Sequence, residues 1–362
     1  MNLHAHAFKT YLNLLHLKNV VLGIMMVKLS KRQEEEAMRI HREAVVVDTH
    51  CDTLMTFMPQ SYGQPPARKL GERSDKGHLD LPRMREGGVD CQTFAIYTGR
   101  REGQPDALLT AMQMTDVFYT EMEANREDIV PVFSIGEILA AKKRGICSGL
   151  LAIEGAEPLM GELGVLRNFY KLGVRMISFT WNWRTPFADG LSASRAESKL
   201  TDLGVKAIEE MDHLGIVLDT SHISDTCFWD IAEVKKGPFI ASHSNSRVVC
   251  DHRRNLTDDM LQALADHGGV TGMNFAPDFV AKDGATVEKL VDHIDYIVKR
   301  IGPDHVGLGS DFDGIGKPPV GLEDVSKVPN ITRELVRRGY EEEDIKKILG
   351  GNHLRVFGGV LK

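Results

Sequence analysis

The 362-residue chain lacks the cysteine pattern of a disulfide scaffold or a thiolate zinc site. Its five cysteines, Cys51, Cys91, Cys147, Cys227 and Cys250, are odd in number, scattered and free of any C-x-x-C pairing, which argues against both. It lacks an excess of positive charge. Its 44 Lys and Arg are outnumbered by 51 Asp and Glu, for a formal net charge of -7. No basic stripe is available to neutralise phosphates, so nucleic acid is not the expected partner. It lacks a long clean apolar run. Leu12 to Leu29 is interrupted by His16, Lys18, Asn19 and Lys28, and its longest unbroken part, Val20 to Val27, is too short to span a bilayer. No small-x-small cleavage site follows, so no membrane anchor is evident, and the cytoplasm is the default compartment. The chain also lacks internal repeats, low-complexity tracts and the G-x-G-x-x-G turn that an open doubly wound sheet would carry after an early strand.

Hydrophobic content of 42% and charged content of 26% describe a soluble globular protein able to bury a large core. Nothing in residues 1–30 resembles the patterned chain that begins near Lys31. That stretch reads as an extension, with translation starting at Met25 or Met26 as one hypothesis, which intact mass of the natively expressed protein would settle. Residues 31–362 read as a single domain.

From Lys31 onward the sequence alternates. A helix over Gln33 to Arg42 leads to a first strand at Val45 to Thr49, followed by a long polar connection, Pro59 to Lys76, of the kind that is usually functional. Further strands are predicted at Gly88 to Tyr97, Gly149 to Glu154, Val174 to Trp181, Ile216 to Thr220, Phe239 to Ser242, Val270 to Phe275 and Val306 to Ser310. Helical patterns separate nearly all of them, among them Asp106 to Arg126, Leu159 to Leu172, Thr201 to Leu214, Thr226 to Val234, Thr257 to His267 and Thr286 to Ile301. Eight strands alternating with helices is the count of a TIM-like (β/α)8 barrel, and strands apolar on both faces suit one. The tail from Pro329, with helices near Thr332 to Arg338 and Glu342 to Leu349, is expected beneath or beside the barrel.

Barrel enzymes place their chemistry at the C-terminal ends of the strands. The first strand ends in His50-Cys51-Asp52. Side chains alternate along a strand, so His50 and Asp52 point one way and Cys51 the other. The third predicted strand ends at Glu154, the fifth at His222, the sixth at His243 and the eighth at Asp311. Each residue alone has a plain structural account as a helix cap or a hydrogen-bonded core histidine. Converging on one rim, they predict a metal site. Three histidines and three carboxylates suit zinc or a similar divalent ion. Six ligands exceed one tetrahedral ion and suit two ions about 3.5 to 4 Å apart, with Glu154 as the natural bridge. A hydroxide between such ions would have its pKa pulled towards about 7, which makes hydrolysis the expected reaction class.

The segments His50-Cys51-Asp52, Ile153-Glu154-Gly155, Ser221-His222-Ile223-Ser224, Ser242-His243-Ser244, Arg253-Arg254-Asn255 and Ser310-Asp311-Phe312-Asp313-Gly314 together resemble the membrane dipeptidase (renal dipeptidase) family of zinc peptidases. The late segment Gly350-Gly351-Asn352-His353-Leu354-Arg355-Val356-Phe357 resembles that family's closing motif. The resemblance runs in order from about Val45 to Phe357. It implies a binuclear zinc site that cleaves dipeptides, often tolerating a D-residue at the C-terminal position. Carried over, His50, Asp52 and Asp311 would hold one zinc, His222 and His243 the other, and Glu154 would bridge. Arg254 would pair with the substrate carboxylate through its planar fork. Asp311 would also take a proton from the bridging water and pass it to the leaving amine. Homodimerisation is a further expectation from the resemblance.

One position departs from the mammalian members. Trp181 falls where they carry a histidine that helps bind substrate and polarise the scissile carbonyl. An indole N–H can donate a hydrogen bond but takes up no proton. Asn182 is the substitute donor to consider, and oxyanion stabilisation and side-chain specificity are the properties this departure touches. Among rivals, other binuclear amidohydrolases acting on lactones, esters or other amides often begin with His-x-His and bridge their metals through a modified lysine on strand four. This chain has His-x-Asp, no lysine in that strand, and a carboxylate on the third. A catalytically silent metal-binding homologue is the alternative from another class. A thiol enzyme built on Cys51 fails on direction, and a buried structural thiol is the better account of that residue.

Overall fold

The computed structural model describes residues 29–59, 65–99, 105–193, 195–196 and 198–362. The expected N-terminal extension therefore lies, apart from Leu29 and Ser30, outside the described residues, as does part of the polar connection after the first strand. The strands are β1 (Val47–Cys51), β2 (Cys91–Tyr97), β3 (Ile129–Pro131), β4 (Cys147–Glu154), β5 (Val174–Ser178), β6 (Val217–Asp219), β7 (Ile240–Ala241), β8 (Val270–Met273) and β9 (Val306–Leu308). They pair in parallel in the order β2-β1-β9-β8-β7-β6-β5-β4-β3, and a further β2–β4 pairing closes the ring. The result is the expected eight-stranded (β/α)8 barrel. β3 stands outside the ring, alongside Cys147 to Gly149 at the start of β4.

Two apolar layers hold the barrel together. Leu150, Ala152, Met176, Val217, Ile240 and Val270 fill its interior, while Leu151, Ile153, Ile177 and Leu218 face the surrounding helices. The alternation in β4 carries Glu154 to the inner face at the rim. In β1, Val47 belongs to the inner layer and Cys51 to the outer one, although strict alternation would put both on one face. A register irregularity between Asp48 and Cys51 accounts for the difference. It leaves Cys51 in the core and turns His50 inward.

The helices form where the sequence supplies caps and apolar stripes. Ser224, Thr257 and Thr286 accept the backbone N–H groups of Cys227, Met260 and Lys289 respectively, and each such cap stabilises its helix by about 1 kcal/mol. The helix Val287–Ile301 buries Val287, Leu290, Val291, Ile294 and Ile297 along one stripe. The tail packs beneath the barrel. Val356 and Phe357, on the helix Asn352–Val360, enter the inner apolar layer, and Asn352 Nδ2 donates to the carbonyls of Pro303 and Val306 at 2.7 and 2.8 Å.

Sequence reading missed β3 and the helix Ile135–Arg144. β3 is three residues long and ends on a proline, too short for a periodicity. The helix was signalled by Ser134 and Glu137, which form a capping box at its start. Predicted strands also overran at the rim: the segment expected to reach Trp181 ends at Ser178, and the one expected to end at Ser310 ends at Leu308. There the chain leaves the sheet to aim side chains into the mouth. Among the described residues no helix is long and apolar enough to cross a membrane.

Candidate metal centre and active-site pocket

Backbone bonds between β1 and β9 build one side of the site. The Asp52 N–H donates to the Phe312 carbonyl at 2.9 Å and the Asp311 N–H to the His50 carbonyl at 3.1 Å, while Ser310 Oγ donates to the same carbonyl across 260 residues of sequence. Asp52 lies just past β1 in a non-extended conformation, yet its Oδ2 is 3.3 Å from His50 Nε2. Asp311 Oδ1 is 3.9 Å from the same nitrogen. Glu154 lies at the centre: its Oε2 is 3.7 Å from His50 Nε2, and its Oε1 is 3.0 Å from His222 Nε2 and 3.5 Å from His243 Nε2. All six predicted ligands are thus brought together.

His222 and Asp311 carry positive φ angles of 68° and 64°. For residues with a Cβ such backbones cost roughly 1–3 kcal/mol each and persist where the surroundings enforce them, as at functional sites. Gly314 forms the floor beneath the carboxylates. A Cβ there would collide with Asp52 Oδ2 and Asp311 Oδ1.

Burial would hold His50 neutral, but Glu154, Asp52 and Asp311 around it outweigh that effect and carry its pKa up to about 10. Burial, with Asp52 beside it and against the pull of His50, pushes Asp311 up to about 6 and Glu154 well above the carboxylate range. His222 is held neutral by burial and then by the charges of Arg254 and His50. Burial, His50 and Arg254 do the same to His243. The cluster packs three carboxylates together, Asp52 and Glu154 of them buried, the arrangement a cation relieves.

Three observations test the fit to metal. His222 Nε2 and His243 Nε2 face each other at 2.9 Å, a spacing with room for one proton at most. Asp52 Oδ1 is buried with no hydrogen-bond partner. His50, Glu154 and His243 bring ligand atoms within 4.8 Å of one another, as do His50, Asp52 and Asp311. Imidazole nitrogens and carboxylate oxygens at this density fit a divalent ion of the zinc type.

A cavity of about 320 Å³ opens above the cluster, lined among others by Tyr97, Trp181, Asn182, Arg254, Phe279 and Asp311. The Arg254 guanidinium lies over the Phe279 ring at 5.4 Å and donates to Ser244 Oγ and the His243 carbonyl, both at 3.1 Å. It is buried. The Trp181 ring sits between Tyr97, at 5.3 Å, and His222, at 5.8 Å, as part of the pocket wall. Asn182, considered from sequence as a donor to substrate, also lines the pocket, and its Oδ1 accepts from His222 Nδ1 at 2.9 Å.

Sequence reasoning passed over several residues that meet the site. Tyr97 ends β2 directly beside Glu154 in register. Asn274 Nδ2 donates to Asp311 Oδ2 at 3.0 Å and to the His243 carbonyl at 3.2 Å. Ser242 Oγ lies 2.7 Å from His243 Nδ1. Tyr97 and Asn274 sit at predicted strand ends, and that position was the available signal.

A closed parallel barrel whose C-terminal rim gathers histidines and carboxylates around one central glutamate, with a buried arginine alongside, defines a metallohydrolase-type barrel. More narrowly, the chain belongs to the membrane dipeptidase family (peptidase family M19), whose profile matches residues 34–362. It is 34% identical over 333 residues to dipeptidase 3 of Mus musculus, covering 90% of this chain and 66% of the mouse protein. It is 34% identical over 354 residues to an uncharacterised dipeptidase of Schizosaccharomyces pombe, covering 92% and 85%. Among solved structures it is similar to a metallopeptidase of Rhodobacter sphaeroides liganded with a phosphinate mimic of the dipeptide L-Ala-D-Ala, at 28% identity and a TM-score of 0.77, covering 88% of this chain and 99% of that one.

Proposed function

We propose that the protein is a zinc-dependent dipeptidase with a binuclear site, hydrolysing dipeptides that include L-Xaa-D-Xaa. The observation that carries the proposal is the division of the Glu154 carboxylate, with Oε2 turned to His50 and Oε1 to His222 and His243. A bridging carboxylate serving His50, Asp52 and Asp311 on one side and two histidines on the other is the arrangement two ions would need. The R. sphaeroides relative's dipeptide mimic supports the substrate class.

Bound zinc would supply Lewis acidity towards the scissile carbonyl and the attacking water. The chain's own residues would do the rest. Arg254 offers a buried cation to the substrate's terminal carboxylate, where a charge-assisted pair is strongest. Asp311, poised to hold a proton and steadied by Asn274, carries it to the leaving amine. Trp181 and Tyr97, in ring contact with each other, form part of the pocket wall. Trp181 takes up no proton and offers the substrate only an indole N–H donor.

The test is hydrolysis of matched L-Xaa-L-Xaa and L-Xaa-D-Xaa dipeptides by zinc-loaded protein, read by ninhydrin, with Glu154→Ala as control and metal content measured alongside. Cleavage that vanishes in the control supports the proposal. Two bound metals with no cleavage of any dipeptide would favour another amide or ester substrate, or the silent homologue.

A further inference from the structure

We infer that Asp219 and Ser242 are positioning residues that fix the tautomer of His243, so that its Nε2 presents a lone pair to the metal centre. The inference deepens the metal-site reading above, but its first test stands without any metal.

Hydrogen-bond polarity decides where the protons sit. Asp219, at the end of β6, receives at Oδ1 the backbone N–H groups of Ser221 and Ser242, at 2.9 and 2.8 Å. Its Oδ2 accepts the Ser242 hydroxyl at 2.6 Å. A serine hydroxyl has a single proton, and here it is committed to the carboxylate. Ser242 Oγ can therefore only accept along its 2.7 Å contact with His243 Nδ1, which places the imidazole proton on Nδ1 and leaves Nε2 bare. That bare nitrogen is the one 3.5 Å from Glu154 Oε1. Ser221 completes the arrangement, receiving the His243 N–H at 3.0 Å and contacting Ser242 Oγ at 3.2 Å. His222 reaches the same state by a shorter route, with its Nδ1 donating to Asn182 Oδ1. Side chains that orient a ligand histidine through its second nitrogen are a general feature of metal sites.

The arrangement makes Asp219→Asn a diagnostic substitution. The two backbone N–H groups hold the new amide oxygen at the Oδ1 position, so its NH2 faces Ser242 Oγ and donates to it. The Ser242 proton is then released towards His243 Nδ1, and the imidazole proton moves to Nε2, where it blocks metal. The same substitution behind a catalytic histidine in serine proteases acts through the wrong tautomer.

The experiment is two-bond 1H–15N NMR on metal-free protein carrying 15N-histidine, with His243 assigned by its loss in His243→Gln. The expected result is Nδ1–H in the wild type and Nε2–H in Asp219→Asn. Because Ser221 Oγ could take the Ser242 proton instead, the measurement is repeated in Asp219→Asn/Ser221→Ala, where the same switch is expected. Zinc affinity by chelator competition should fall about 10–100-fold in Asp219→Asn, the usual cost of losing such a partner. Nε2–H in the wild type, or Nδ1–H retained in both variants, overturns the inference. An observed tautomer switch with unchanged zinc affinity would sink the metal-site reading and leave the positioning role standing. If Asp219→Asn does not fold, Ser242→Ala takes its place, with a loss of the pure Nδ1–H signature expected and an unchanged one overturning the inference.

Discussion

His222 and His243 meet nitrogen to nitrogen, their Nε2 atoms 2.9 Å apart with Glu154 Oε1 within 3.5 Å of both. Imidazoles that both keep their proton on Nδ1 turn two bare Nε2 lone pairs towards each other here and repel unless a cation binds them, so metal should stabilise the fold as well as equip it. Stripping the protein with a chelator should lower the melting temperature, and zinc at a hundred times its dissociation constant should restore about 2.7 kcal/mol. Calorimetry with and without zinc measures both. Glu154→Ala should show little response to added zinc, since it removes both carboxylate oxygens, the one turned to His50 and the one turned to His222 and His243.

Gly314→Ala should impair metal binding while leaving the barrel folded. Its new Cβ would land on Asp52 Oδ2 and Asp311 Oδ1, and rim carboxylates move more readily than a packed strand. Chelator competition should show weakened zinc affinity, with circular dichroism unchanged.

Arg254→Lys keeps the charge and loses the planar fork. Hydrogen bonds to charged groups contribute about 1.5–3 kcal/mol, so kcat/KM for dipeptides should fall roughly 10- to 150-fold. Dipeptide amides, which lack the carboxylate, should be affected far less by the substitution. Equal losses on both substrates would remove Arg254 from that role.

His41 supplies a pH dependence away from the site. It is buried, with Nδ1 2.7 Å from Thr332 Oγ1 and Nε2 donating to the Gly87 carbonyl at 2.8 Å. Burial lowers its pKa from 6.5 to about 4. The unfolded chain takes up this proton first, so stability present above pH about 6.5 is lost as pH falls towards about 4, by about 3 kcal/mol in all. Denaturant melts over this range should show the loss, and His41→Gln should flatten that part of the profile.

Much of this was legible in the sequence, for identifiable reasons. The barrel could be read because its strands are short apolar runs between capped helices, and the rim ligands because each follows such a run. The β1 irregularity that turns His50 inward was not legible, since it depends on pairing with β2. Nor was the service of Asn182 to His222, or of Asp219 and Ser242 to His243, because a polar residue at a strand end carries no mark of which neighbour it will meet. Trp181 was recognised as a departure, while its contact with Tyr97 required the closed barrel.

The neighbouring positions of β1 and β9 have a consequence for the order of events in synthesis. His50 and Asp52 emerge early from the ribosome, whereas Asp311, which shares their corner through the Asp311–His50 and Asp52–Phe312 backbone bonds, emerges some 260 residues later. Until β9 slots beside β1 the ring is open and the ligand set incomplete. Contacts so distant in sequence are slow to form, so the metal centre should mature only after the last barrel strand is in place. In refolding, tight zinc uptake should therefore track the slowest phase that closes the barrel, never the fast appearance of helix.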